Sequence, residues 1–323
     1  MSNNPRHIVQ RYYVPPEPSV ASGAWSIKEQ QQAAYDGLWL PAGIIPSINY
    51  LAIGGGGSGG NATEGGTISQ GGAGGAGGLI VGSFGPTYKQ PGGFTGYTLT
   101  ITVGAGGQPI PQSSGAAGNP GNNGENTTIS GEFFNTLGTL IAYGGGTGGG
   151  GAQFSSQDAG NGGSGGGQGG YTGGNTATGG SATQPTSTYG GYGNAGGRSS
   201  GLGAAGGGGA GGAGSSTAGG AGLYVSVANG STYAGIYGRG GGLVTDRFSL
   251  AGAAAGYGSG GNGGYAASSN ISNLGGVGQN GVVIFWYNLS FQAPSVITGT
   301  YTYSVQNEYR IYVFNYPGGT ITF

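Results

Sequence analysis

The chain has 323 residues, of which 87 are glycine and only 5% are charged. Glycine at this density excludes an ordinary core of packed side chains, because a glycine buries almost no apolar surface and loses the most backbone entropy on folding. The net charge of −1 excludes a basic surface for nucleic acid or anionic lipid, and the absence of cysteine excludes a disulfide framework and a Cys-type metal site.

Residues 1–46 differ in composition from the rest and contain a proline-rich stretch that favours an extended arm. Ser26 to Glu29 fits a capping box, which predicts one short helix over residues 26–36. We interpret this region as an N-terminal attachment arm; the alternative is a helix that docks on the adjacent domain. The candidate assembly residues are Pro15, Pro16, Pro18, Trp25 and Trp39.

The opening residues lack the apolar region of a secretory signal peptide. No apolar run approaches the roughly 18 residues of a membrane helix. We therefore expect a chain that is made in a cytoplasm and does not insert into a membrane.

Residues 47–290 alternate between apolar segments and glycine blocks, and we interpret them as a glycine-rich domain. Segments rich in β-branched and aromatic residues predict short strands at Ile48–Ile53, Tyr97–Val103, Leu137–Tyr143, Leu223–Val227 and Val282–Tyr287. Asn229-Gly230 predicts a type I′ hairpin turn.

The glycine blocks, such as residues 71–78 and 206–214, have two possible readings. One is disorder, which the 11% aromatic content and low charge oppose. The other is extended helices of the polyglycine type, packed side by side and hydrogen-bonded to one another through their backbones. We expect the second, with backbone bonds between segments that are distant in sequence.

Residues 291–323 alternate in the manner of strands, with Tyr301, Tyr303 and Val305 on one parity. Around residues 309–316 both parities are apolar, so we expect both faces to be covered, with neighbouring subunits as one candidate cover. Pro317-Gly318-Gly319 predicts a turn. The predicted fold is thus mainly β and irregular: one short N-terminal helix, a domain of short strands and polyglycine-type helices, and a small C-terminal antiparallel β module.

The sequence offers few residues for catalysis or metal binding. His7 is the only histidine, so neither a Ser-His-Asp arrangement nor a poly-His metal site can form. No glycine block ends in Gly-Lys-Ser/Thr, which excludes a phosphate-binding P-loop. The acidic residues between 65 and 290 are scattered. We expect no enzymatic activity, no cofactor and no metal.

Aromatic residues embedded in Gly, Ser, Thr and Asn are the candidate receptor-binding residues. Such a surface resembles an antibody paratope, where rigid rings supply contact area and small polar residues hydrogen-bond adaptably. The alternative is that each ring packs on a glycine strip and covers backbone. These residues are Phe154, Tyr171, Tyr189, Tyr192, Tyr257 and Tyr265.

Several segments together resemble the glycine-rich domain proteins of tailed bacteriophages, of a type found in marine and cyanobacterial phages. They are Tyr50–Gly60, Leu99–Gly107, Gly281–Tyr287 and Tyr309–Phe323, with Gly23–Gln30 and Gly37–Trp39 in the arm. The resemblance implies a virion component, commonly a tail-fibre or adhesin part, and supplies no catalytic residues.

From this resemblance we expect a non-enzymatic structural protein of the phage virion, assembled in the host cytoplasm and mediating host attachment. The expected partners are other virion proteins, further copies of the chain with a homotrimer as first guess, and a host cell-surface glycan or protein. The alternative is a capsid or tail decoration protein with no specific receptor. An ice-binding bundle is opposed by the irregular placement of threonine.

Overall fold

A computed structural model describes residues 47–63, 69–84, 97–111, 118–131, 138–152, 156–170, 177–186, 190–199, 203–243, 256–266 and 274–323. The predicted N-terminal arm and its helix lie outside these ranges.

The described residues form twelve strands, named in chain order. They are β1 (Ile48–Ile53), β2 (Ser69–Gln70), β3 (Leu79–Phe84), β4 (Thr98–Thr102), β5 (Thr127–Gly131), β6 (Leu140–Ala142), β7 (Leu223–Val225), β8 (Gly235–Tyr237), β9 (Tyr265–Ala266), β10 (Val282–Asn288), β11 (Val296–Gln306) and β12 (Tyr309–Thr322).

Eight of the strands form one antiparallel sheet in the order β3-β1-β10-β12-β4-β5-β6, with β11 paired to β12. Strands β2 and β9 form a small pair, and β7 and β8 form a hairpin. The hairpin turn contains Asn229 and Gly230, both at positive φ, as the sequence predicts. The five predicted strands are present, whereas β2, β3, β5 and β9 were not predicted.

Strand β12 holds the two halves of the sheet together because it changes neighbours along its length. Its first part, residues 309–314, pairs with β10, and its last part, residues 318–322, pairs with β4. Strand β11 runs along its other side throughout, with a bulge between Gly299 and Tyr301. A Cβ at Gly318, where φ is +110°, would lie 2.2 Å from the carbonyl oxygen of Ile101. Only glycine fits this crossing point.

At the centre of the sheet, in β10 and residues 311–314 of β12, both faces are buried against the chain itself. One hydrophobic cluster contains Phe84 of β3, Phe285 of β10 and Leu140 of β6, so the first and last strands of the sheet face a shared core. On the other face, Ile284 and Trp286 pack against the β7–β8 hairpin and Ala210. Both faces of residues 311–314 are covered, as expected, but the cover comes from this chain and not from neighbouring subunits.

The glycine segments form a network of backbone hydrogen bonds, which we call the glycine network. Its described segments are 54–61, 71–78, 103–107, 118–126, 144–151, 160–170, 193–199, 203–214, 238–243, 256–264 and 274–281. These segments are neither helix nor strand. Their amides bond to partners far away in sequence, which confirms that part of the prediction.

Segment 54–61 shows how the network is organised. Every third amide donates to the same neighbour: Gly54, Gly57 and Gly60 donate to segment 71–78 at 2.8–3.1 Å. The next amide in each triplet donates to segment 118–126, and the third donates to segment 274–281. A β-strand alternates between two neighbours, so a segment that bonds to three in turn needs space on every side.

Only the absence of side chains provides that space. A Cβ added at Gly74 would lie 2.1 Å from the carbonyl oxygen of Gly57, and one at Gly208 would lie 2.0 Å from that of Asn194. Where other residues enter the network, their side chains complete it: buried Ser58 accepts from the amide of Asn122 at 2.8 Å. Asparagines cap further amides in the same way, at Asn126, Asn262 and Asn280.

The predicted fold class is wrong. The described residues contain no helix of any kind, and their regular elements are strands. The predicted separate C-terminal β module does not exist, because β11 and β12 belong to the eight-stranded sheet and β12 lies at its centre. The predicted turn at residues 317–319 is also wrong, since β12 continues through it. The physical reason is that β10 and residues 311–314 of β12 are apolar on both parities and bury most by pairing with each other.

Replacing Gly74 or Gly208 by alanine should destabilise the protein strongly. The methyl group separates hydrogen-bonded segments and leaves buried amides without partners, at about 1–3 kcal/mol each. We expect each variant to lose at least about 3 kcal/mol of unfolding free energy, measured by denaturant titration. The matched control is Gly212→Ala, because a Cβ there would meet its nearest atom at 3.6 Å. Near wild-type stability of Gly74→Ala would contradict close packing of the network.

Candidate functional surface

Tyr192 lies at the end of a network segment where it meets the sheet. Its backbone exchanges two hydrogen bonds with Leu79, the first residue of β3, at 2.8 and 3.0 Å. The side chain is 45% exposed. The backbone of Tyr192 is therefore fixed in place while its ring projects from the surface.

Tyr257 lies in a turn between two glycines, of which Gly258 has a φ of +66°. A Cβ on Gly258 would lie 2.6 Å from the side chain of Ile53, so the turn can approach β1 only with glycine at this position. The Tyr257 ring is 38% exposed and stacks on Tyr237, with ring centroids 6.5 Å apart. One face of the Tyr257 ring thus packs on Tyr237, and the rest of the ring is open to solvent.

Tyr265 lies in β9, opposite Gln70, and is half-buried. It is separated from Tyr257 by the length of segment 71–78: the amide of Gly77 bonds to Gly258 at one end of that segment, and the amide of Gly71 bonds to Gly264 at the other. Tyr192 lies at the same end as Tyr257. The structure therefore places Tyr192 and Tyr257 at the same end of this segment and Tyr265 at the opposite end.

The remaining predicted site residues lie outside the described residues. They are Phe154, Tyr171 and Tyr189 among the receptor-binding candidates, and Pro15, Pro16, Pro18, Trp25 and Trp39 among the assembly candidates.

Two groups of exposed apolar side chains were not predicted as surface features. Tyr224 on β7 and Ile236 on β8 are 63% and 45% exposed and lie opposite each other on the open face of the hairpin. The second group lies on β11. The exposure of Tyr224 and Ile236 could have been predicted from the hairpin sequence, because a two-stranded hairpin that packs on a sheet buries only one of its faces.

The chemistry of this surface is that of neutral aromatic rings and backbone amides. Within the ranges that the structure describes, no acidic or histidine side chains gather to hold a metal ion. The same part of the chain has no helix that could span a membrane. Burial, together with smaller contributions from the neighbouring Tyr257 and Tyr233, raises the pKa of Tyr237 to about 12. Its hydroxyl donates to the backbone carbonyl of Tyr233.

The raised pKa of Tyr237 makes stability depend on pH in the alkaline range. The unfolded chain loses this proton near pH 10 and the folded chain near pH 12, so stability is complete below about pH 10 and falls between these values. At pH 12 the loss from this group is about 2–3 kcal/mol. In denaturant titrations at a series of pH values, Tyr237→Phe should make the decline of unfolding free energy with pH less steep, by the equivalent of about one proton. The matched control Tyr224→Phe should keep the wild-type slope. An unchanged slope in Tyr237→Phe would contradict the assignment.

A sequence profile described as a glycine-rich domain matches residues 38–288. No curated protein matches the chain. The matched region contains the glycine network, the β7–β8 hairpin and every strand of the sheet from β1 to β10, and it covers well over half of the chain. The chain therefore belongs to the glycine-rich domain family.

Proposed function

We propose that this protein is a non-enzymatic structural protein of a phage virion, a tail-fibre or adhesin component that attaches to the host surface. Two things support the proposal. The phage-like segments of the sequence fall on β1, β4, β10 and β12, which build the sheet, and the glycine-rich family match spans the domain between them.

The observation that carries the proposal is the construction of the interior from backbone. Segments in the glycine network bond to several neighbours with N···O distances near 2.9 Å, and side chains are nearly absent between them. A framework of this kind is rigid, because no segment can move without breaking bonds to several others. Rings that project from it, such as Tyr192 and Tyr257, are carried on a fixed backbone and therefore lose little conformational entropy when they bind a ligand.

Binding on this surface is expected to act through stacking and hydrogen bonding. The chain carries too few charges to steer a charged ligand. Tyrosine offers a flat apolar face with a polar tip, and surrounding glycine and asparagine offer amides, which together suit the rings and hydroxyls of a neutral sugar. The partner proposed is therefore a host cell-surface glycan; a surface protein is the alternative partner.

A second candidate is a capsid or tail decoration protein with no specific receptor. One observation favours it: Tyr265 lies at the opposite end of segment 71–78 from Tyr192 and Tyr257, so the described aromatic candidates do not form one patch. In either case residues 1–46 would attach the chain to other virion proteins, and the protein would be found in the virion after assembly in the host cytoplasm.

Removing one projecting ring should separate the two candidates. The test uses immobilised bacterial lipopolysaccharides and capsular polysaccharides, with binding of the purified protein measured by biolayer interferometry. For an adhesin, Tyr192→Ala should weaken binding by roughly thirtyfold, which corresponds to about 2 kcal/mol for an aromatic hot spot. The melting temperature should hardly change, because an exposed ring contributes only about 0.5 kcal/mol to stability.

The matched control is Tyr316→Ala. Tyr316 lies on β12, outside the matched domain, and is 47% exposed, close to the 45% of Tyr192. Equal effects of the two substitutions would show that the binding is non-specific. If the wild-type protein binds neither the polysaccharides nor intact host cells while immunogold labelling finds it on phage particles, the decoration candidate is correct. Absence of the label from phage particles would contradict both.

A further inference from the structure

The outer edge of β11 is a long, exposed strand edge. Strand β11 has 11 residues and pairs with β12 on one side. On its other side it pairs with no strand among the described residues. Exposed strand edges present unpaired amides and carbonyls, and proteins usually protect them with charges or proline. Residues 296–306 contain neither. Within the part of the chain that the structure describes, this edge is therefore open to a further strand.

Two rows of aromatic rings cross the sheet and end at this edge. In the first, Phe285 of β10 meets Phe314 of β12 at 6.1 Å between centroids, and Phe314 meets Tyr301 of β11 at 5.8 Å. In the second, Tyr287 meets Tyr312 at 6.0 Å, and Tyr312 meets Tyr303 at 4.9 Å. Each row passes from the buried core to a ring in solvent.

The terminal rings are exposed and yet held in position. Tyr301 is 38% exposed and Tyr303 is 46% exposed. The hydroxyl of Tyr303 accepts a hydrogen bond from Arg310 at 2.8 Å. Because the rings are already ordered, a strand that brought two more aromatic residues to this edge would extend both rows at little cost in side-chain entropy.

The sequence of β11 itself supplies such a strand. When two copies of β11 run antiparallel about a twofold axis at Thr302, Tyr301 of one copy lies opposite Tyr303 of the other, and the reverse pair forms by symmetry. Thr300 then lies opposite Ser304. Cross-strand aromatic pairs and Thr–Thr or Thr–Ser pairs are favourable. The bulge between Gly299 and Tyr301 confines the regular pairing to a short stretch centred on Thr302.

Charge also favours a second copy as the occupant. The strand is neutral from Val296 to Gln306, so two copies meet without repulsion. The nearest charged residues are Glu308 and Arg310, and neither faces its own copy in this register. The Arg310 side chain lies on β12, one strand behind the edge, where it donates to the Tyr303 hydroxyl. We propose that β11 is a self-association edge, through which two copies of the chain join their sheets with Thr302 on the twofold axis.

The test places a charge on the axis of the full-length protein. Thr302 is exposed, so Thr302→Lys should fold normally while setting two like charges opposite each other. We expect dimerisation to weaken at least about tenfold in analytical ultracentrifugation, because like charges juxtaposed across an interface are strongly unfavourable. The matched control, Thr217→Lys, changes an exposed threonine in the glycine-rich region and should dimerise as the wild type does.

Two further results make the test specific to the register. An equimolar mixture of Thr302→Lys and Thr302→Asp should recover association, because opposite charges then face each other. Thr302→Cys should form a dimer under mild oxidation, since the chain has no other cysteine, and Thr217→Cys should not. A monomeric wild type that Thr302→Cys does not crosslink would overturn the proposal. A trimer or larger oligomer that Thr302→Lys leaves intact would overturn it as well.

Discussion

The structure depends on backbone hydrogen bonds between glycine segments that approach too closely for a Cβ at most of their glycine positions. Segment 54–61 shows the extent of this packing. Its amides donate to three neighbouring segments, and its carbonyls accept from three more: 144–151, 256–264 and Gly107. In an ordinary domain the interior is filled by apolar side chains and the backbone bonds run within sheets and helices. Here the backbone fills the interior, and its hydrogen bonds hold chain segments together from six directions.

The sheet organises this network because its central strands lead directly into it. Ile53 of β1 pairs with Leu79 of β3 and with Val282 of β10. The next bond in the same direction joins the amide of Gly54 to Gly78. Strands that are neighbours in the sheet therefore continue as neighbours in the network. From Gly54 onward most residues have no side chain, so successive amides can donate to three neighbouring segments where a strand bonds to two. The two-dimensional sheet thereby continues as a three-dimensional array.

Local features were predictable from the sequence, and the long-range arrangement was not. Strands β1, β4 and β10 and the turn at Asn229-Gly230 follow from residue type, because β-branched residues and positive φ are local preferences. The central place of β12 could not be predicted, since Pro317-Gly318-Gly319 is also a good turn sequence. Its continuation as a strand depends on pairing with β4, which lies more than 200 residues earlier. The separation of Tyr265 from Tyr257 likewise depends on how segment 71–78 aligns with segment 256–264, and glycine repeats carry no side chains to specify that alignment.

Amide hydrogen exchange tests the central role of the glycine network most directly. If the network is held by bonds between segments, every amide from Gly54 to Gly60 should exchange as slowly as the amides of the buried strand β10, because each one is hydrogen-bonded inside the protein. Protection should be continuous along the segment, without the alternation expected at a strand with one open edge. Exchange of these glycine amides at the rate of an unfolded chain, while β10 remains protected, would contradict the account.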